Sequence, residues 1–298
     1  MTVFSRLPPE IIDNVIDRLS HSFSDLHSCS VANSKFTPRC QRHLFYRACL
    51  IFPDDINDPA ENTQHLIRLL RPDLARSIRY LRIINYHQSR SGTAEDAHLA
   101  MVLEKLCISL QSFTLSGVAV TRRNATVGFT GTQLSPSLFS CLIAMFVSTQ
   151  VVEVNLHNIK NLPTPLLASH CPSIRHVSFE GSTSPGTAPF PEENLLRPAG
   201  PLWAGQEPRF LNVLSLSPGA LQCAMDFCAA SGSESAVDLS HLNEIIIIGY
   251  SSKLIDFAAD CMRRAGESLK TLRWSPCHTD TGITGVSILL RVISSCLE

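Results

Sequence analysis

From residue 78 onward the chain repeats one short pattern: apolar, two variable residues, apolar, one variable residue, apolar. It reads IRYLRI at 78–83, LQSFTL at 110–115, VVEVNL at 151–156 and IRHVSF at 174–179. It returns as LNVLSL at 211–216, LNEIII at 242–247 and LKTLRW at 269–274. Alternating apolar residues over so few positions predict short strands with one buried face. Between most of them apolar residues recur at helical spacing, in ENTQHLIRLL, EDAHLAMVLEKLCIS, SPSLFSCLIAMFVS, GALQCAMDFCAA, SKLIDFAADCMRRAG and GITGVSILLRVISSC. The third and fourth strands lie closest in sequence, and TPLLASHCPS between them leaves room for about two helical turns. Strand and helix in alternation predict an α/β fold with a parallel sheet.

The first fifty residues follow a different rule. After Leu7, Pro8 and Pro9 suit the first turn of a helix, where a missing N–H costs nothing. Ile11, Ile12, Val15, Ile16 and Leu19 then share a face, opposite Asp13, Asp17 and Arg18. A second helix is expected after an N-cap at Ser24, with Leu26, Cys29 and Val31 turned inward. A third is expected from Thr37 as cap and Pro38 as first residue, with Cys40, Leu44, Phe45 and Ala48 as its stripe. Three such short helices enclose little core alone.

Two further segments stand out. Residues 181–209 hold six prolines and four glycines, which predicts a long irregular excursion, with Phe190 and Trp203 as aromatic contacts for a partner or for the body of the fold. The last apolar stretch, 283–296, carries apolar residues around most of a helix and ends the chain without a polar cap, so an exposed apolar patch is expected there.

Composition narrows the class. Of 298 residues, 44% are hydrophobic and 17% charged, with a net charge of -1. That balance is globular and carries no overall basic field for nucleic acid. No apolar run approaches a membrane span, and the start MTVFSRLPPE lacks the basic flank and apolar run of a secretory signal. The eleven cysteines include no Cys-x-x-Cys. Reduced thiols in the cytoplasm or nucleus are the expectation.

Candidate chemistry is sparse. His170-Cys171 and Cys277-His278, with Asp280 nearby, are adjacent in sequence, whereas a thiol–imidazole catalyst needs groups that converge in space. Ser217 and Ser251 lack a Gly-x-Ser-x-Gly frame. No His, Asp or Glu set has metal spacing. No catalytic residue, metal or cofactor is expected.

The segment LPPEIIDNVIDRL…LHSCSVANSKFTPRCQRHLF resembles an F-box, most closely those of the expanded families of mushroom-type fungi. It covers about residues 4–49, with Phe36 where many members carry Trp. The strand–helix units resemble the irregular leucine-rich repeats that often follow an F-box, though they lack the usual Asn after the strand. A doubly wound α/β domain is the rival fold, but no Gly-rich phosphate loop follows any strand.

The resemblance implies an F-box over 1–50, a connecting helical segment over 51–77 and a repeat domain over 78–298. It implies a non-catalytic substrate receptor of an SCF-type cullin-RING ubiquitin ligase, with a Skp-type adaptor, a cullin and a protein target as partners, and neither nucleic acid nor membrane. The alternative is a repeat scaffold whose F-box serves an assembly outside ubiquitination. Adaptor contacts would fall on Leu7, Pro8, Pro9, Ile11, Ile12, Val15, Ile16, Leu19, Cys29 and Val31. On the strands, the second, third and fifth residues of each pattern point away from the core. Candidate target contacts are therefore Arg79, Tyr80, Arg82, Glu153, Asn155, Arg175, His176, Lys270 and Arg273. This face is mildly basic and suits an acidic or phosphorylated segment.

Overall fold

Adjacent prolines set the first helix: α1 spans Pro9–Arg18, with Pro8 as N-cap and Glu10 placing negative charge in the first turn. The computed structural model describes residues 7–51, 75–86, 99–104, 110–117, 132–149, 151–162, 164–171, 173–183, 210–229 and 237–275. The segments around Phe190, Trp203, Cys277 and 283–296 lie outside these, as does most of the connecting stretch 51–77.

Two further helices follow, α2 (Phe23–Ala32) and α3 (Thr37–Leu44). The N-cap of α2 is Ser22, not Ser24: its Oγ accepts from the Asp25 N–H at 3.3 Å. Thr37 does not cap α3. Its hydroxyl instead donates to the Ser30 carbonyl at 2.8 Å and so ties α3 to the last turn of α2. Ile12, Ile16, Leu26 and Cys40 form a small core of their own, with Leu7, Leu19, Cys29, Phe36 and Leu44 packed around it.

The third helix ends sooner than its apolar stripe predicts. Residues Arg47–Ile51 form a strand, β1, so Phe45 and Ala48 do not extend α3. FYRACL at 45–50 is an eighth copy of the strand pattern, preceding the seven read from sequence. The same letters fit both periods. The ladder with β2 decides between them, because it pairs every residue from Arg47↔Tyr80 to Ile51↔Ile84. The last residues of the 1–50 segment therefore belong to the sheet.

The remaining strands are β2 (Tyr80–Tyr86), β3 (Ser112–Gly117), β4 (Thr132–Gln133), β5 (Glu153–His157), β6 (Ile159–Lys160), β7 (His176–Ser178), β8 (Val213–Leu216), β9 (Glu244–Ile248) and β10 (Thr271–Ser275). All seven patterned segments are strands, and each strand opens at the third residue of its pattern. Eight strands make one parallel sheet in chain order, β1-β2-β3-β5-β7-β8-β9-β10, while β4 and β6 pair separately. Among the described residues the strands lie in chain order, whereas the doubly wound alternative requires a return to the middle of the sheet.

One backbone device recurs at every junction. The carbonyl of the second pattern residue accepts from the N–H groups of both the second and third residues of the next pattern. Tyr46 does this for Arg79 and Tyr80, Arg79 for Gln111 and Ser112, and so on to Asn243 for Lys270 and Thr271. Strand exits also repeat. The eighth residue is left-handed at Asn158 (φ 57°), Gly181 (φ 63°) and Gly249 (φ 88°), a conformation that Gly and Asn adopt at least cost.

The helices α4 (Pro136–Thr149), α5 (Thr164–His170), α6 (Leu221–Cys228) and α7 (Ser252–Ala265), and helical residues 99–104, lie between strands as predicted. They share one continuous core with the first, fourth and sixth pattern residues from β2 to β9; at β1 Leu50 is buried, Ala48 partly buried and Phe45 exposed. Phe113 of β3 meets Phe146 of α4 edge-on at 5.3 Å, and Phe179 meets Phe227 of α6 at 5.6 Å. In β10 the equivalents Leu269, Leu272 and Trp274 are only partly buried. Among the described residues no helix is long and apolar enough to cross a membrane.

Candidate functional site: two binding surfaces

The first surface follows from the small size of the N-terminal bundle. One helical line of α1, Ile12 and Ile16, is 6% and 2% exposed. The flanking line is left out: Ile11 is 46% and Val15 54% exposed. On α2, Leu26 is buried while Phe23 and Val31 are 70% and 75% exposed. The ten candidate adaptor residues therefore divide. Leu7, Ile12, Ile16, Leu19 and Cys29 hold the bundle together. Pro8, Pro9, Ile11, Val15 and Val31 face outward. Val31 is a correction, since it was expected inside. Phe23 escaped the sequence reading because the cap expected at Ser24 placed it outside the helix.

Charge closes the bundle from the polar side. Asp17 of α1 takes both Arg39 Nε and Nη2 of α3, at 2.6 and 2.5 Å, and His43 Nε2 at 2.8 Å. The Arg39 guanidinium, then the His43 imidazole, hold the Asp17 carboxyl down at about 2.

The second surface is the sheet face opposite the helices. Parallel register stacks the third residues in one row: Arg47, Tyr80, Ser112, Glu153, His176, Val213, Glu244 and Thr271. Fifth residues form a second row, in which Cys49, Arg82, Thr114 and Asn155 lead to Arg273 at the far end. Ser112 in the first row and Ser178 in the second are buried, and the other members are half-buried or exposed. Arg82, Lys270 and Arg273 are exposed, and Arg79, Tyr80, Glu153, Asn155, Arg175 and His176 are half-buried.

Their environments differ along the face. At the β1 end the Tyr46 and Tyr80 rings are 5.2 Å apart, and the Arg47 guanidinium lies 5.3 Å from the Tyr80 ring centroid. The adjoining, hydrogen-bonded Tyr46 hydroxyl, then burial, raise the Tyr80 phenol above its ordinary pKa. In the middle, the Asn155 amide donates to Glu153 Oε1 at 3.0 Å and reaches Thr114 Oγ1 at 3.4 Å. Arg175 is already occupied: its guanidinium stacks 4.2 Å from the Phe210 ring centroid and Nη1 donates to the Ile174 carbonyl. Arg273 Nε sits 2.6 Å from Glu244 Oε1, an ion pair without hydrogen-bond alignment. The mildly basic face expected from sequence is therefore uneven.

His157, one pattern position past Leu156, was not singled out in the sequence. Burial lowers its pKa, with Glu180 opposing and Arg82 adding to the effect, and Nε2 has no hydrogen-bond partner among the described residues.

The buried thiols are chemically quiet. Burial pushes Cys223 and Cys228 up to about 12, and Cys261 upward as well, so they stay protonated near neutral pH. Cys171 is buried in the core of the sheet and helices. Among the described residues no group of three His, Cys, Asp or Glu side chains is placed to hold a metal ion. No protein-family model matches the chain, and no curated protein matches it.

Proposed function

We propose that this chain is a substrate receptor of an SCF-type cullin-RING ubiquitin ligase: an F-box bundle that docks on a Skp-type adaptor, followed by an irregular leucine-rich-repeat solenoid that holds a protein target. The observation that carries the reading is the split of the α1 stripe. A helix whose neighbours bury Ile12 and Ile16 but leave Ile11 and Val15 bare is built to be covered from outside. Prolines 8 and 9 flank those two residues on the exposed side. Support for the solenoid comes from strand order in chain sequence, the repeated junction hydrogen bonds and the left-handed strand exits. The reaction would be organised rather than catalysed by this chain, which raises the effective concentration of a target lysine beside the charged enzyme.

Co-precipitation with the full-length protein tests this. The parent should capture both the adaptor and a cullin. Ile11→Asp with Val15→Asp should lose both while keeping the fold, because each residue is about half exposed and surface changes shift stability by about 0.5 kcal/mol or less. Ile12→Asp with Ile16→Asp cannot serve, since it places charge in the bundle's own core. Unchanged capture by the folded Ile11/Val15 variant would sink the proposal. Adaptor without cullin would favour an assembly outside ubiquitination.

A further inference from the structure

We infer that the β1–β3 end of the open sheet face binds an extended protein segment with carboxylates at alternate positions. The inference rests on the reading of this face as the target-holding surface, and it names the chemistry of what is held.

Charge is the first reason. The outward residues of β1, β2 and β3 include Arg47 and Arg82 and no Asp or Glu. Among the described residues neither arginine makes an ion pair; Arg47 rests on Tyr80 and Arg82 is exposed. The next carboxylate along the face, Glu153, is held by the Asn155 amide. At the far end the Arg273 charge is neutralised by Glu244. Of the arginines in the two rows, Arg47 and Arg82 are therefore the ones without a carboxylate partner among the described residues.

Geometry is the second. The Tyr80 ring draws the Arg47 guanidinium over the third position of β2. Arg82 stands two residues further along β2 on the same face. Same-face residues of a strand repeat at about 6.6 to 6.8 Å, so the Tyr80 position that carries Arg47 and the Arg82 position are set that far apart along β2. An extended ligand has the same repeat, and alternate carboxylates would meet Arg47 and Arg82 while the residue between faces away. Guanidinium and carboxylate pair through two parallel hydrogen bonds. A single phosphate would engage one arginine unless Arg47 left the Tyr80 ring, so it suits the pair less well.

Fluorescence anisotropy on the full-length protein tests the inference with a labelled Glu-Ser-Glu-Ser-Glu-Ser-Glu peptide. Its permuted form Glu-Glu-Ser-Ser-Glu-Glu-Ser, in which no two carboxylates stand two positions apart, and a peptide with one phosphoserine are the comparisons. The alternating peptide should bind tightest, weaken about tenfold or more in Arg47→Gln with Arg82→Gln, and dissociate as salt rises to about 0.3 M. It should also shield Cys49, exposed and directly opposite Arg82, from iodoacetamide in peptide mass mapping. Equal binding of the permuted peptide, tighter binding of the phosphopeptide, or an unaffected double variant would overturn the inference. The same variant is carried into the adaptor capture assay. Adaptor captured with no peptide bound defeats this inference alone; peptide bound with no adaptor captured defeats the ligase reading alone.

Discussion

Asp17 and Arg39, one on α1 and one on α3, lock together through two parallel hydrogen bonds across 22 positions of sequence. The pair decides how the N-terminal bundle responds to acid. Asp17 titrates at about 2 when folded, below the ordinary 3.8, so its contribution is fully present above about pH 4 and is lost as pH falls toward 2. The shift at face value corresponds to about 2 kcal/mol. The carboxylate is 38% exposed, and solvent screening reduces the contribution to about 1 kcal/mol. Asp17→Asn should speed hydrogen exchange in peptides from α1 and α3 at pH 7 and leave the sheet unchanged. At pH 2 parent and variant should exchange alike after correction for intrinsic rates. Equal protection at pH 7 would remove the pair from the bundle's stability.

The sheet was legible because its signal is periodic and local. First, fourth and sixth pattern residues are the ones water must leave, and all seven segments read from sequence became strands. β1 was not legible, because FYRACL satisfies helical and strand spacing at once and the partner that chooses, β2, lies about thirty residues away across the connecting stretch. Val31 illustrates a second limit. Which side of an amphipathic helix is covered depends on how many neighbours the bundle has, and two short helices cover only part of the stripe on α1 and α2. None of the nine candidate face residues is buried, although Ser112 and Ser178 on the same face are; Arg175 and Arg273 could not be known to be engaged, since Phe210, just before β8, and Glu244 of β9 reach them.

Gly249 shows what the strand exits demand. Its φ is 88°, its N–H donates to the Ser275 carbonyl at 2.8 Å, and its carbonyl accepts from Trp274 Nε1 at 3.0 Å. A side chain at this φ is strained. Gly249→Ala should therefore lower the urea midpoint, by about 1–2 kcal/mol in unfolding free energy. Asn158 occupies the equivalent exit at φ 57°; Asn158→Gly should be close to neutral and Asn158→Val should cost more than Gly249→Ala. A Gly249→Ala protein as stable as the parent would show that the exit turn can relax.

Ser182 carries the clearest buried polar role. It is fully buried, its hydroxyl donates to the Leu156 carbonyl at 2.7 Å, and the same oxygen accepts from the Ile159 N–H at 3.1 Å. Those two backbone groups sit where β5 ends and β6 begins, just beside the left-handed Asn158. Removing the hydroxyl leaves a buried carbonyl and a buried N–H unpaired in one step. Each unsatisfied group costs about 1–3 kcal/mol, and a water in the vacated space would recover part of it. Ser182→Ala should thus destabilise by about 2–4 kcal/mol, with the slope of the urea transition unchanged if unfolding stays cooperative. The neighbouring Thr183 N–H, which donates to the Ile159 carbonyl at 2.8 Å, holds the same turn from the next residue. Exchange at Ile159 and Thr183 should therefore rise together in the variant. A loss confined to Ile159, with the midpoint unmoved, would mean that the turn stands on its backbone bonds alone.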